Sequence, residues 1–206
     1  MATNKQKRMS TLKMVQLAIL TAIIFIMTFT PLGYLKILVV DITFLMIPVA
    51  IGAVITGPLG GLFLGTVFGV SSFLTCFGYS PFGTFLFGVN PFFTFIMCIV
   101  PRALMGFLVG IVFNALKKVD KTNTVSYFVA SACGAIFNTI LFVVFLVVLF
   151  GNSQAVLDMF GATNIWGIIA GLITFNAAIE TACSLIIGGA ISKSLSIYLP
   201  RLYKQG

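Results

Sequence analysis

Histidine is absent from the 206 residues, and only 8% of them are charged, against about 25% in an ordinary soluble domain. Without an imidazole, the commonest general base and a principal zinc ligand are excluded. Only four acidic residues occur, Asp41, Asp120, Asp158 and Glu180, and Glu180 alone falls inside an apolar stretch. No carboxylate pair is therefore available for acid–base chemistry. Cys76, Cys98, Cys133 and Cys183 stand singly in apolar runs, with no CxxC spacing. They read as buried packing residues rather than metal ligands. No G-x-x-x-x-G-K-[ST] occurs, so the chain does not hydrolyse ATP by itself. These absences argue against an enzyme, and no cofactor is expected within the chain.

What is present is apolar surface. Hydrophobic residues make up 60% of the chain, with 22 Phe and 20 Gly, a composition that suits lipid rather than water. The net charge of +8 does not point to nucleic acid, because the basic residues sit almost entirely at the two ends and in one short loop rather than on one face. The basic-then-apolar start resembles a signal peptide, yet its apolar run ends at Thr30-Pro31-Leu32-Gly33 without a small-x-small cleavage site. A retained first helix is expected.

A membrane-crossing helix needs about 20 apolar residues. Cutting the chain at Pro, Gly and charged clusters predicts helices at about 12–29, 42–55, 59–77, 92–116, 126–150 and 165–192. Between them lie a membrane-edge segment holding Lys36 and Asp41, a long Gly- and Phe-rich loop from Phe77 to Asn90, a polar turn at Lys117-Lys118-Val119-Asp120-Lys121, and a loop from Gly151 to Asn164. The expected fold is an all-α integral membrane protein of six transmembrane helices. It forms one domain over 1–206, with short basic tails at about 1–11 and 193–206. Lys- and Arg-rich loops are retained in the cytoplasm. With six spans, Lys5, Lys7, Arg8 and Lys13, then Lys117, Lys118 and Lys121, then Lys193, Arg201 and Lys204 all fall on one side. Both termini are therefore expected to be cytoplasmic.

Arg102 and Glu180 lie inside predicted spans, where each charge costs about 2.5–3.5 kcal/mol at a helix centre. Counted from the outer helix ends, Arg102 lies roughly 15 Å deep, Asn138 and Asn176 roughly 18 Å, and Glu180 roughly 22 Å. Two readings are open. In one, these groups satisfy each other, Arg102 bonding Glu180 and the amides bridging helices. In the other they form a site in which Arg102 holds an anion and Asn138 and Asn176 bond hydroxyl or amide groups. The loop containing Phe77, Tyr79 and Asn90 reads equally as a lipid-facing aromatic belt or as a lid over an apolar pocket. Trp166, the single tryptophan, reads as an interfacial anchor. Gly57, Gly61, Gly65 and Gly69 form a small-residue stripe suited to packing within the chain. The spacing Ala18-x-x-x-Ala22 suits either internal packing or a partner protein.

These residues together resemble the substrate-binding S-components of energy-coupling factor (ECF) vitamin transporters. The likeness covers nearly the whole chain. It rests on the six helices with both ends inside, on Ala18-x-x-x-Ala22 after a basic start, and on Leu35-Lys36-Ile37 through Asp41 leading to Ile47-Pro48-Val49. Gly57-Pro58-Leu59-Gly60-Gly61, similar to the tight turn between the second and third helices of that family, adds to it. The resemblance implies a small protein of a prokaryotic plasma membrane that captures a vitamin from outside. It would then dock, through Ala18 and Ala22, on a membrane coupling subunit (T-component) with two ATPase subunits, which use the ATP. Ser71-Ser72-Phe73 to Cys76-Phe77-Gly78, Asn90-Pro91 and Val100-Pro101-Arg102 look most like the pantothenate type, implying Ser72 among the ligand contacts. A lone pocket Arg suits the single carboxylate of pantothenate. Riboflavin and pyridoxine are the alternatives within the family, and an independent ion-coupled carrier is the alternative outside it.

Overall fold

The computed structural model describes residues 2–31, 33–35, 42–120, 124–159 and 176–204. The first helix, α1, covers Ala2–Thr28. It leads into two short strands, β1 (Tyr34–Leu35) and β2 (Ile42–Thr43), paired antiparallel with Tyr34 opposite Thr43. This ladder is the one strand pairing among the described residues, whose other elements are helical as expected. The second helix, predicted from residue 42, begins at Met46 because Ile42 and Thr43 are spent on the ladder. This helix, α2, spans Met46–Thr56. Gly57, at φ 91°, turns the chain at once into α3, Pro58–Thr75. That left-handed backbone favours glycine, and Pro58 is suited to a first helical position.

The glycine- and phenylalanine-rich segment expected as a loop contains a helix, α4, at Pro81–Val89. Local chemistry explains it: the Ser80 hydroxyl accepts from the Gly83 N–H at 3.3 Å, and Pro81 takes the first turn, where a missing N–H costs nothing. Asn90 closes α4 and caps α5, Pro91–Val119, accepting from the N–H groups of Phe92 and Phe93 at 3.1 Å each. The Asp120 carboxylate accepts from Thr124 and Ser126 and so initiates α6, Val125–Phe150. A short helix, α7 (Gln154–Met159), occupies part of the loop predicted at 151–164. Further on, α8 (Asn176–Cys183) passes through a π-helical turn (Ser184–Gly188) into α9 (Gly189–Lys204). The helix therefore continues well beyond residue 192, through most of the stretch expected as a tail. Lys36, Asp41 and Trp166, and the predicted start of the last helix, lie outside the described residues.

Among the described residues, five helical segments are long and apolar enough to cross a membrane: Thr11–Thr28, Pro58–Thr75, Pro91–Val119, Val125–Phe150 and Ala177–Ile197. The 11-residue α2 is shorter, about 16 Å at the helical rise. It is buried from Met46 through Val54, which its uniformly apolar sequence permits. Helices α1, α3, α5 and α6 all pack on it.

The closest helix pair is α3 with α5. Gly61, Gly65 and Gly69 recur every fourth residue and so share one face. A Cβ on Gly61 would collide with the Gly106 carbonyl, and one on Gly65 with the Arg102 carbonyl; one on Gly69 would come within 2.6 Å of the Ile99 Cα. The stripe thus brings two backbones together, the internal role expected of it. Helix α1 is peripheral. Leu20, Ile24 and Thr28 are buried, while Met14, Ile19, Ile23 and Ile26 are exposed on its outer side.

Candidate functional site

One proline sets the site. Pro101 sits inside α5 and has no N–H, so the carbonyl four residues earlier, that of Met97, has no helical partner. The next residue takes it: Arg102 Nη1 donates to the Met97 carbonyl at 2.6 Å. The guanidinium is 8% exposed and lies between two rings, its carbon 5.6 Å from the centroid of Phe68 on α3 and 5.3 Å from that of Phe142 on α6. Stacking on two aromatic faces stabilises a cation withdrawn from water. Arg102 Nε has no hydrogen-bond partner among the described residues.

Three further elements converge on this cation. On α6, Asn138 is buried, and its Oδ1 has no partner among the described residues. On α8, Glu180 is buried, accepts from the Thr43 N–H of β2 at 2.9 Å and lies within reach of the Asn138 amide. At the end of α3, Ser72, Thr75 and the C-cap residue Cys76 share a face by their spacing of three and four residues. All of these border a cavity of about 100 Å³, closed on another side by Phe82, Gly83 and Leu86 of α4 and its cap Ser80.

Of the residues singled out from the sequence, Arg102, Asn138, Glu180 and Ser72 line this one cavity. Arg102 is not locked to Glu180, since its one hydrogen bond among the described residues goes to the Met97 carbonyl. Phe77 and Tyr79 are exposed outside the cavity, Phe77 against Phe73 and Phe87, Tyr79 edge-on to Phe29. Asn90 serves as a helix cap. Asn176 opens α8, and its side chain lies outside the described ones. Ala18 and Ala22 are exposed on the outer side of α1, away from the cavity.

Sequence reasoning missed Thr43, Phe68, Thr75, Thr94 and Phe142, and the wall made by α4. Part of this was readable. Asn138 and Phe142 stand four residues apart, as do Thr94 and Cys98, so each pair projects from one helix face. The contribution of β2 had no local signal.

With one cation beside two aromatic rings, an acceptor and a donor left open among the described residues, hydroxyl groups and a carboxylate, the cavity is equipped to bind a small polar anion. Across residues 12–191 the sequence matches the family model described as ECF transporter, substrate-specific component. Comparison with curated proteins gives no match. A match over that much of the chain, together with apolar helices around a polar cavity, means that the chain belongs to the ECF transporter substrate-specific components.

Proposed function

We propose that this S-component captures a small vitamin bearing one carboxylate, with pantothenate the best fit, from the outer side of the membrane. Its family makes it a substrate-binding subunit for uptake and not an enzyme. The observation that carries the ligand assignment is Arg102: a buried guanidinium whose Nε has no partner among the described residues, facing a cavity that also holds the Asn138 Oδ1, likewise without a partner among them. A carboxylate would pair with the guanidinium. The hydroxyl and amide groups of pantothenate match Asn138, Ser72 and Glu180 in hydrogen-bonding capacity, with Asn176 as a further candidate. Riboflavin, with an uncharged ring system, would leave Arg102 without a counter-charge.

The direction of capture follows from charge. Counting α2 as a short sixth span puts both chain ends and the turn after α5 on the cytoplasmic side. The cavity is lined by the C-terminal end of α3 and the N-terminal half of α5, which are the opposite ends of those helices. Phe77, Tyr79 and Asn90 then belong to the outer rim around α4 rather than to the ligand contacts. Release inward would require docking on the membrane coupling subunit and its two ATPases, which supply the ATP hydrolysis that this chain lacks.

The test is titration calorimetry of the purified protein with pantothenate, riboflavin and pyridoxine, without ATP. Pantothenate should bind tightly, and Arg102→Ala should weaken it by about a hundredfold or more, as expected when one partner of a buried charged hydrogen bond is removed. Absence of heat with all three vitamins would overturn the reading, and heat with riboflavin or pyridoxine alone would reassign the ligand.

A further inference from the structure

We propose that Cys76 and Cys98 form an oxidisable dithiol in the cavity wall, which on closing to a disulfide clips the turn between α3 and α4 onto α5. The inference rests on the cavity and not on which vitamin occupies it.

The two sulfurs lie 3.9 Å apart, one just past the end of α3 and the other on α5. Both cysteines are buried, at 3% and 6% exposure, yet both line the cavity, which offers a small reagent a route to them. Neither Cys133 nor Cys183 lines it. Bond formation requires the sulfurs to approach to about 2.05 Å. Cys76 is placed to move: it directly follows the last residue of α3, two residues before Gly78, whose φ of 116° marks a sharp turn. Cys98 is held on α5, one turn before Arg102. The consequence reaches α4, because Cys76 also packs against it; a Cβ on Gly83 would come within 2.8 Å of the Cys76 sulfur. Tethering Cys76 to α5 therefore restrains the segment that closes the cavity.

The oxidant is a small organic disulfide, and the reaction is thiol–disulfide exchange. One cysteine thiolate attacks the reagent, forming a mixed disulfide and expelling the first reagent thiolate. The second cysteine thiolate then attacks the protein sulfur of that mixed disulfide, forming the Cys76–Cys98 bond and expelling the second. The protons lost by the two cysteines pass to the two departing thiolates, and two electrons pass from protein to reagent.

The experiment treats the purified full chain, in detergent micelles, with 2-hydroxyethyl disulfide. Peptide mapping with thiol alkylation under denaturing conditions reads the product. Expected is a cross-link between Cys76 and Cys98 with no reagent attached to either, reversed by a reducing phosphine. In Cys76→Ser and in Cys98→Ser, the remaining cysteine of the pair should instead retain half of the reagent as a mixed disulfide. The backbone amides of residues 77–80, 82 and 83 should exchange hydrogen about tenfold more slowly in the oxidised wild type and at an unchanged rate in treated Cys76→Ser. The proposal is overturned if the wild type carries only mixed disulfides, if both thiols stay alkylatable, or if exchange at 77–83 does not respond to the cross-link. None of these measurements uses a vitamin, so their failure is separate from failure of the carboxylate assignment.

Discussion

At Pro101 and Arg102 a helix defect and a binding group are the same feature. A proline inside a helix costs about 3 kcal/mol relative to alanine, mainly through the lost backbone bond. Here the freed Met97 carbonyl accepts from Arg102 instead, which orients the guanidinium between Phe68 and Phe142. Pro101→Ala restores an N–H that competes for that carbonyl. Thermal unfolding should therefore show a raised midpoint while calorimetry shows pantothenate binding weakened about tenfold. Unaltered affinity would mean that the carbonyl does not position the guanidinium. Arg102→Lys should not rescue binding, because an ammonium lacks the planar fork and the stacking surface.

Helices α3, α4, α5, α6 and α8 line the cavity, whereas α1 turns an apolar face outward. Between α3 and α5 the glycine stripe leaves no room for a side chain, so Gly65→Val drives carbon atoms onto the Arg102 backbone. Such overpacking costs about 3 kcal/mol or abolishes folding. Gly88→Ala, where nothing lies within 4 Å, should be close to neutral in the same denaturation assay. On α1 the two faces should respond differently. Ile24 is fully buried, and Ile24→Ala should destabilise by about 2–4 kcal/mol. Ala18 and Ala22 face outward and are small, which suits close approach of a helix from the coupling subunit. Ala18→Trp should leave pantothenate binding intact and abolish co-purification with that subunit. Full recovery of the complex would remove the docking role assigned to this face.

For the whole molecule, counting α2 as a sixth span and placing the basic ends in the cytoplasm makes one prediction about topology. Single cysteines placed at Lys118 and Lys193, in a background with the native cysteines replaced, should be labelled by an impermeant maleimide only from the cytoplasmic face of membrane vesicles. One at Ser80 should be labelled only from the opposite face. Labelling of Lys118 and Lys193 from the face opposite a single cysteine placed at Lys7 would exclude α2 as a sixth span and would place the cavity mouth elsewhere.

Composition alone settled the solvent of this protein, because a chain with so few charges cannot cover itself with a water-facing surface. Local sequence was enough for the long helices, whose lengths answer to bilayer thickness, and for Arg102, since an isolated charge in an apolar run demands compensation. Its Ser80 cap and Pro81 could have disclosed α4, but the density of glycine and phenylalanine read as loop. What no local pattern contained was which groups meet. Glu180 accepts from an N–H 137 residues earlier, that of Thr43, and Cys76 finds Cys98 across a helix pair. Packing decided those pairings: the glycine stripe pulls α3 against α5 and so brings Cys76 to Cys98, while the packing of α8 on α6 and β2 brings Glu180 to Thr43.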